Sequence, residues 1–309
     1  MDDHERQLSL LRPLSRGQRR LIKSSVEIEA DDPEKLIYQH AVFCQTGLPY
    51  RNPGHESRVW ERTQGGASLR VRAGEAFDPN AECWVEIGLP FGAKPRLVLA
   101  YLNGEAIRAG SPEVEVEDSL TAFVQRIGLS NDGRSIRTVK DQLSRLAVAE
   151  IRLALAYGNG HARQVNSHIV SGFDLWWPRD ARQRVLWPSL VRLSEDYFNS
   201  LERHAVPLDE RAIGALSHSA MALDLYCWLA YRLHQVSKRK PQFLTWKAAK
   251  DQFGWHYNAM YKFRQVFKRT LDIVLTQYRG ARIDLDDKGL TLYNSPPPIK
   301  GRITLISKS

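Results

Sequence analysis

The chain has 309 residues, 43% of them hydrophobic, with eight tryptophans and a formal charge of +9 at pH 7. That is enough apolar material for about two cored domains. It excludes a disordered chain, and the basic balance points to a polyanionic partner, nucleic acid or an anionic membrane surface. Cys44, Cys83 and Cys227 are odd in number, far apart and outside any CxxC spacing, which reads as reduced thiols in a cytoplasmic protein.

Residues 1–30 are polar and charged, with Arg16, Arg19, Arg20 and Lys23 close together, and are expected to form a flexible arm. The first residues carry acids where a signal peptide has its basic region, so no leader is expected. Asp31-Asp32-Pro33-Glu34 reads as the start of a short helix over 35–45, closed by Thr46-Gly47-Leu48-Pro49. From Tyr50 to Asn80 prolines and glycines interrupt the pattern, and only Ser68–Val71 alternates like a strand. Trp84–Ile87 is expected as a strand, Pro95–Ala106 as a helix and Val114–Val116 as a strand. A short helix capped by Asp118 or Ser119 follows and ends at Gly128. Ser135–Ala149 keeps helical spacing and presents Arg134, Arg137, Thr138, Asp141, Gln142 and Arg145 opposite its apolar stripe. Ile151–Tyr157 and His168–Trp177 flank Gly158-Asn159-Gly160-His161, a hairpin signal.

Pro178–Pro188, with Arg179, Arg182 and Arg184, reads as a linker. Beyond it come a strand at Leu190–Leu193, a helix capped near Ser194, and one long helix from Asp209 to about Val236, apolar almost all round and too short and charged to span a membrane. Gln242–Thr245 is a short strand, Trp246–Phe253 a short helix broken at Gly254, and Asn258–Gln277 an amphipathic helix. In that last helix Phe263, Val266, Phe267, Thr270, Leu271 and Val274 make the apolar stripe, while Tyr257, Asn258, Tyr261, Lys262, Gln265, Lys268 and Arg269 crowd the other side. Arg282–Leu285 and Leu290–Tyr293 form a second hairpin around Asp286-Asp287-Lys288-Gly289.

The two halves repeat. Leu99-Ala100-Tyr101 returns as Leu229-Ala230-Tyr231, Phe123–Gly128 resembles Lys250–Gly254, and Arg137–Leu146 echoes Lys262–Leu271, each in the same order of helix, strand, helix, helix and hairpin. The reading is an α+β chain of two tandem winged-helix domains, pseudo-two-fold related, with an N-terminal extension. The units are residues 1–80 (arm and extension), 81–187 (first winged helix) and 188–309 (second winged helix), the second helix of each helix-turn-helix pair entering a DNA groove.

Several segments also resemble plasmid-encoded RepA-type replication initiators: TGLPYR at Thr46–Arg51, IGLPFG at Ile87–Gly92, KDQLSRL at Lys140–Leu146, FDLWWP at Phe173–Pro178, ALDLYCWLAYR at Ala222–Arg232 and SPPP at Ser295–Pro298. This resemblance implies tandem winged-helix folding and binding to repeated sites (iterons) in double-stranded origin DNA. It implies a monomer active in initiation, a homodimer that represses its own promoter, and recruitment of the host replication initiator and replicative helicase.

Catalytic motifs are missing from the sequence: there is no GxxxxGK[ST], no HExxH and no paired His/Cys ligand set. No cofactor, metal or enzymatic activity is expected. A rolling-circle nickase would need a histidine cluster beside a nucleophilic tyrosine, and Tyr257 and Tyr261 have none. A repressor without an initiation role shares every DNA-binding feature and stays open as the alternative. For DNA contact, Lys262, Lys268 and the linker arginines suit phosphates. Asn258, Gln265 and Arg269 suit base edges, and Gln142 and Arg145 would hold analogous positions in the first unit.

Overall fold

The computed structural model describes residues 15–115, 133–158, 161–172 and 190–299, together with Ala122, Val124, Gln125 and Leu129. Most of the expected helix at 118–128, the hairpin tip at 159–160, FDLWWP and the arginine-bearing linker lie outside the described residues.

The expected flexible arm is corrected over 16–30. Helix α1 (Arg16–Ala30) opens on a capping box in which Ser15 and Gln18 satisfy each other's backbone N–H. It docks on the second half of the chain: Gln277 Nε2 donates to the Leu21 carbonyl at 2.9 Å, and Ser24 Oγ donates to the Arg211 carbonyl at 3.1 Å. The expected helix over 35–45 is also corrected. Its first half is strand β1 (Leu36–His40), and only Ala41–Gln45 forms helix α2. A partner far along the chain wins over local propensity, since β1 pairs antiparallel with β11 (Ala205–Asp209).

The segment 50–80 holds more strand than its alternation shows. Strands β2 (Val59–Gln64) and β3 (Ala67–Arg72) join β7 (Glu150–Gly158) and β8 (His161–His168) in one antiparallel sheet, order β2-β3-β7-β8. The extension therefore widens the first hairpin into a four-stranded sheet whose inner face carries Ala67, Leu69, Val71, Ile151 and Leu153, all buried. Strands β4 (Glu75–Asp78) and β5 (Cys83–Glu86) make a separate hairpin. Helices α3 (Ala93–Ala109) and α4 (Gly133–Val148) lie within three residues of the expected positions. Strand β6 (Glu113–Glu115) pairs with β10 (Leu190–Leu193), which also pairs with β9 (Val170–Gly172). So the strand that opens the second unit in the sequence reading completes a sheet with strands of the first.

In the second half α5 (Glu195–His204) leads into β11. The single long helix expected from Asp209 is corrected to α6 (Glu210–Leu216) and α7 (Ala220–Arg232). The break at Ser217–Ser219 is a new N-cap, with Ser219 accepting the Ala222 N–H at 3.2 Å. Then come β12 (Gln242–Thr245), α8 (Trp246–Phe253), α9 (Met260–Gln277), β13 (Ile283–Leu285) and β14 (Gly289–Leu292), with sheet order β12-β14-β13. One apolar core runs from Ile37 through α3 and α7 to Leu292. No helix among the described residues is long and apolar enough to cross a membrane.

Candidate nucleic-acid interface

Helix α9 is held by a tight joint. Thr245 caps α8 by accepting the Ala248 N–H, Gly254 N donates back to the Lys250 carbonyl at 2.7 Å, and Tyr257 N to the Gly254 carbonyl at 2.8 Å. Gly254 admits no side chain, because a Cβ there would sit 2.2 Å from the Phe263 ring. Phe263, Phe267, Leu271 and Val274 are buried, and the rings of Trp246 and Phe253 each lie 5.8 Å from Phe267. Val266, expected in the stripe, is half-buried, and the helix starts at Met260, two residues past the expected Asn258.

The outward face carries Tyr261, Lys262, Gln265, Lys268 and Arg269, all exposed, with Tyr261 at 76%. Asn258 is exposed just before the helix, while Tyr257 is half-buried against Phe263, 6.0 Å between rings. Lys262 Nζ donates to Gln265 Oε1 at 3.3 Å, and Lys268 Nζ lies 5.6 Å from the Trp246 ring centre, so both long side chains have a resting place. No Asp or Glu occurs from Met260 to Leu271, which leaves the first three turns purely cationic. The β13–β14 tip, by contrast, carries Asp286 and Asp287 beside Lys288, so the helix and not the hairpin offers the positive surface.

Helix α4 behaves differently. Arg134, Arg137 and Asp141 are exposed and Thr138 is half-buried, its hydroxyl donating to the Arg134 carbonyl at 2.8 Å. The expected exposure of Gln142 and Arg145 is corrected. Gln142 is fully buried, accepting the Phe91 N–H at 2.7 Å and donating to Asp141 at 2.8 Å. Arg145 bonds Asp141 at 2.9 Å, donates to the Leu89 carbonyl at 3.2 Å and lies 5.2 Å from the Phe91 ring centre, with 14% of its side chain exposed. These residues clamp the Ile87–Gly92 segment onto α4. Gly88 makes the clamp possible, since a Cβ there would meet Arg145 at 2.4 Å. Arg145→Ala is expected to lower stability by roughly 1 kcal/mol, because its ion pair is half solvated and its packing against Phe91 is lost. Thermal unfolding checks this, and an unchanged midpoint would put Arg145 back among the free surface side chains.

Sequence reasoning missed a second clamp. The Thr46–Arg51 segment and its flanks cross from the extension to the joint of α9: the tilted rings of Trp60 and Trp255 lie 4.7 Å apart, Tyr50 lies 5.5 Å from His256, and Gln252 Nε2 donates to the Gln45 carbonyl at 3.1 Å. Arg62 donates to the carbonyls of Asp251 and Gln252 at the end of α8. The signal was present as the repeated Gly-Leu-Pro-aromatic at Gly47–Tyr50 and Gly88–Phe91, the first packed at the α8–α9 joint and the second on α4.

The buried His40–Ser200 pair does not have the geometry of a nucleophile and its base. His40 Nδ1 accepts the Val42 N–H at 3.1 Å, which leaves the proton on Nε2, pointing at Ser200 Oγ at 3.0 Å. Among the described residues no group of three or more His, Cys, Asp or Glu side chains is placed to hold a metal.

The protein family described as plasmid-encoded RepA protein matches residues 89–248. Two crystal structures of RctB domains 2 and 3 resemble the fold weakly. One has a TM-score of 0.49 at 10% identity, covering 80% of this chain and 95% of that chain. The other has a TM-score of 0.45 at 9% identity, covering 86% and 94%. Both scores are too low to bear on the fold. No curated protein matches the sequence.

Proposed function

The chain belongs to the family of plasmid-encoded RepA proteins, and from that premise we propose that it initiates plasmid replication by binding iterons in double-stranded origin DNA. The observation that carries this reading is the outward face of α9, a row of Tyr261, Lys262, Gln265, Lys268 and Arg269 on a helix whose opposite side is locked into the core. Its setting supports a winged helix. The order α7, β12, α8, α9, β13, β14, with β12 pairing β14, is the helix-strand-helix-helix-hairpin plan that presents its third helix to the major groove. In the first half α4 takes the corresponding place, with Arg134, Arg137 and Thr138 left as its contacts. Asp141 beside them repels phosphate, so α4 contributes fewer and weaker contacts than α9.

Along α9 and the residue leading into it, Asn258, the roles divide by chemistry. Lys262 and Lys268 hold phosphates, while Asn258, Gln265 and Arg269 read base edges, amides pairing with adenine and Arg with guanine. Origin melting, a monomer that fires the origin, an autorepressing dimer and recruitment of the host initiator and helicase complete the proposal.

The test is a gel-shift titration on DNA beside the gene, where tandem repeats spaced by whole turns of roughly 10.5 base pairs are expected. Arg269→Ala should lose about 1–3 kcal/mol of discrimination at one base pair. Lys268→Ala should weaken all sequences evenly and flatten the dependence of affinity on salt. Wild-type behaviour in both variants would remove α9 from the interface. Transformation with an origin plasmid, with and without the protein, separates an initiator from a pure repressor.

A further inference from the structure

We propose that the loop of the N-terminal extension ending at Arg51 forms part of the second DNA-reading surface, and that Arg51 grips a backbone phosphate beside the start of α9. This rests on the reading of α9 as a DNA-contacting helix and extends it to a segment some two hundred residues earlier in the chain.

The loop cannot drift from this place. The Arg96 guanidinium donates to the Leu48 carbonyl at 2.6 Å and the Pro49 carbonyl at 3.3 Å, and Gly92 N donates to the Pro49 carbonyl at 2.8 Å. The Tyr50 ring is held between the Arg96 guanidinium, 5.2 Å away, and the rings of His256 and Trp255 at 5.5 and 6.3 Å. A second anchor, Trp60 on Trp255 with Arg62 on the last carbonyls of α8, holds the other end of the excursion.

Arg51 is the next residue after this fixed backbone. It is exposed and makes no ion pair among the described residues, although most of the surface arginines of β2, β3, β7 and β10 do. Its charge reaches the α8–α9 joint: burial first, and then Arg51, lower the pKa of His256, and Arg51 opposes the rise that burial gives to Tyr257. A cation without an ion-pair partner among the described residues is thus placed beside His256 and Tyr257, which lead into the cationic face of α9. In a helix-turn-helix the first helix crosses the sugar-phosphate backbone and the start of the recognition helix enters the groove, so a cation at the joint between them is within reach of a flanking phosphate. A phosphate there would supply the missing counter-charge.

The experiment uses the full chain and measures fluorescence anisotropy of two labelled duplexes, one from the repeat-bearing DNA beside the gene and one unrelated, across a salt series. Arg51→Ala should weaken both duplexes by a similar factor, on the order of 3–10-fold, and lower the slope of log affinity against log salt by about one. Arg51→Lys should restore most of both, and the thermal midpoint should stay at the wild-type value because the side chain is solvated. Lys268→Ala run in parallel separates the readings. If it shifts affinity and slope while Arg51→Ala matches wild type, the loop is no part of the surface and α9 stands. If Arg51→Ala weakens the repeat-bearing duplex and leaves the unrelated one unchanged, the phosphate role is wrong. If wild type binds neither duplex, both readings fall.

Discussion

Replacing Asp224 with alanine is expected to cost the folded chain about 3–5 kcal/mol, the largest loss foreseen for a single substitution here. Asp224 on α7 faces Arg96 on α3, with bonds of 2.6 and 2.8 Å to its two carboxylate oxygens, and the side chains are only 13% (Asp224) and 6% (Arg96) exposed. The guanidinium is also tied to the carbonyls of Leu48, Pro49 and Gly92. These are dipoles, and removing Asp224 leaves a buried full charge with no counter-charge. Gly47 makes room for the pair: it sits at a φ of +78°, and a Cβ there would lie 2.5 Å from Asp224 Oδ2. Denaturant unfolding of Asp224→Ala should show the loss. The double variant Arg96→Met with Asp224→Leu should recover much of it, since no charge is then left buried. A single-variant loss below about 1 kcal/mol would mean that water reaches the site and that the pair does not join the halves.

Acidification should destabilise the fold through His40. Burial first, and then the neighbouring His204, lower its pKa to about 3. The unfolded chain has the ordinary value of about 6.5, so as pH falls the unfolded state takes up the proton first. The stabilisation is complete above about pH 6.5 and drains away as pH falls toward 3, amounting to about 2 kcal/mol by pH 5. The structural cost of the proton is clear: Nδ1 accepts the Val42 N–H as the N-cap of α2, and a protonated ring would present N–H to N–H. His40→Asn keeps a capping side chain without the titration. The gap in stability between wild type and this variant should close by about 2 kcal/mol between pH 7.5 and pH 5. Parallel curves would show that His40 is charged in the fold.

The sequence is most legible where structure is local. In α9 the apolar stripe, the glycine break and the cationic face all follow from residues within one or two helical turns of each other, and the structure places Tyr261, Lys262, Gln265, Lys268 and Arg269 outward. The same reasoning fails at Gln142 and Arg145. Their spacing puts them opposite the apolar stripe of α4, but Phe91 and Leu89 come from elsewhere and cover that side. Helical period tells which way a side chain points and is silent on what lies in front of it.

By itself the sequence determined the family and the polar face of α9, because the first is carried by motif and the second by local pattern. Only the tertiary structure decided that Leu36–His40 is a strand, that Arg16–Ala30 is a docked helix, that Glu210–Leu216 and Ala220–Arg232 are separate, and that Thr46–Arg51 belongs beside the joint between α8 and α9. Pairing energy and the burial of a charge such as Arg96 come from groups far apart along the chain. They exist only once the chain has closed on itself.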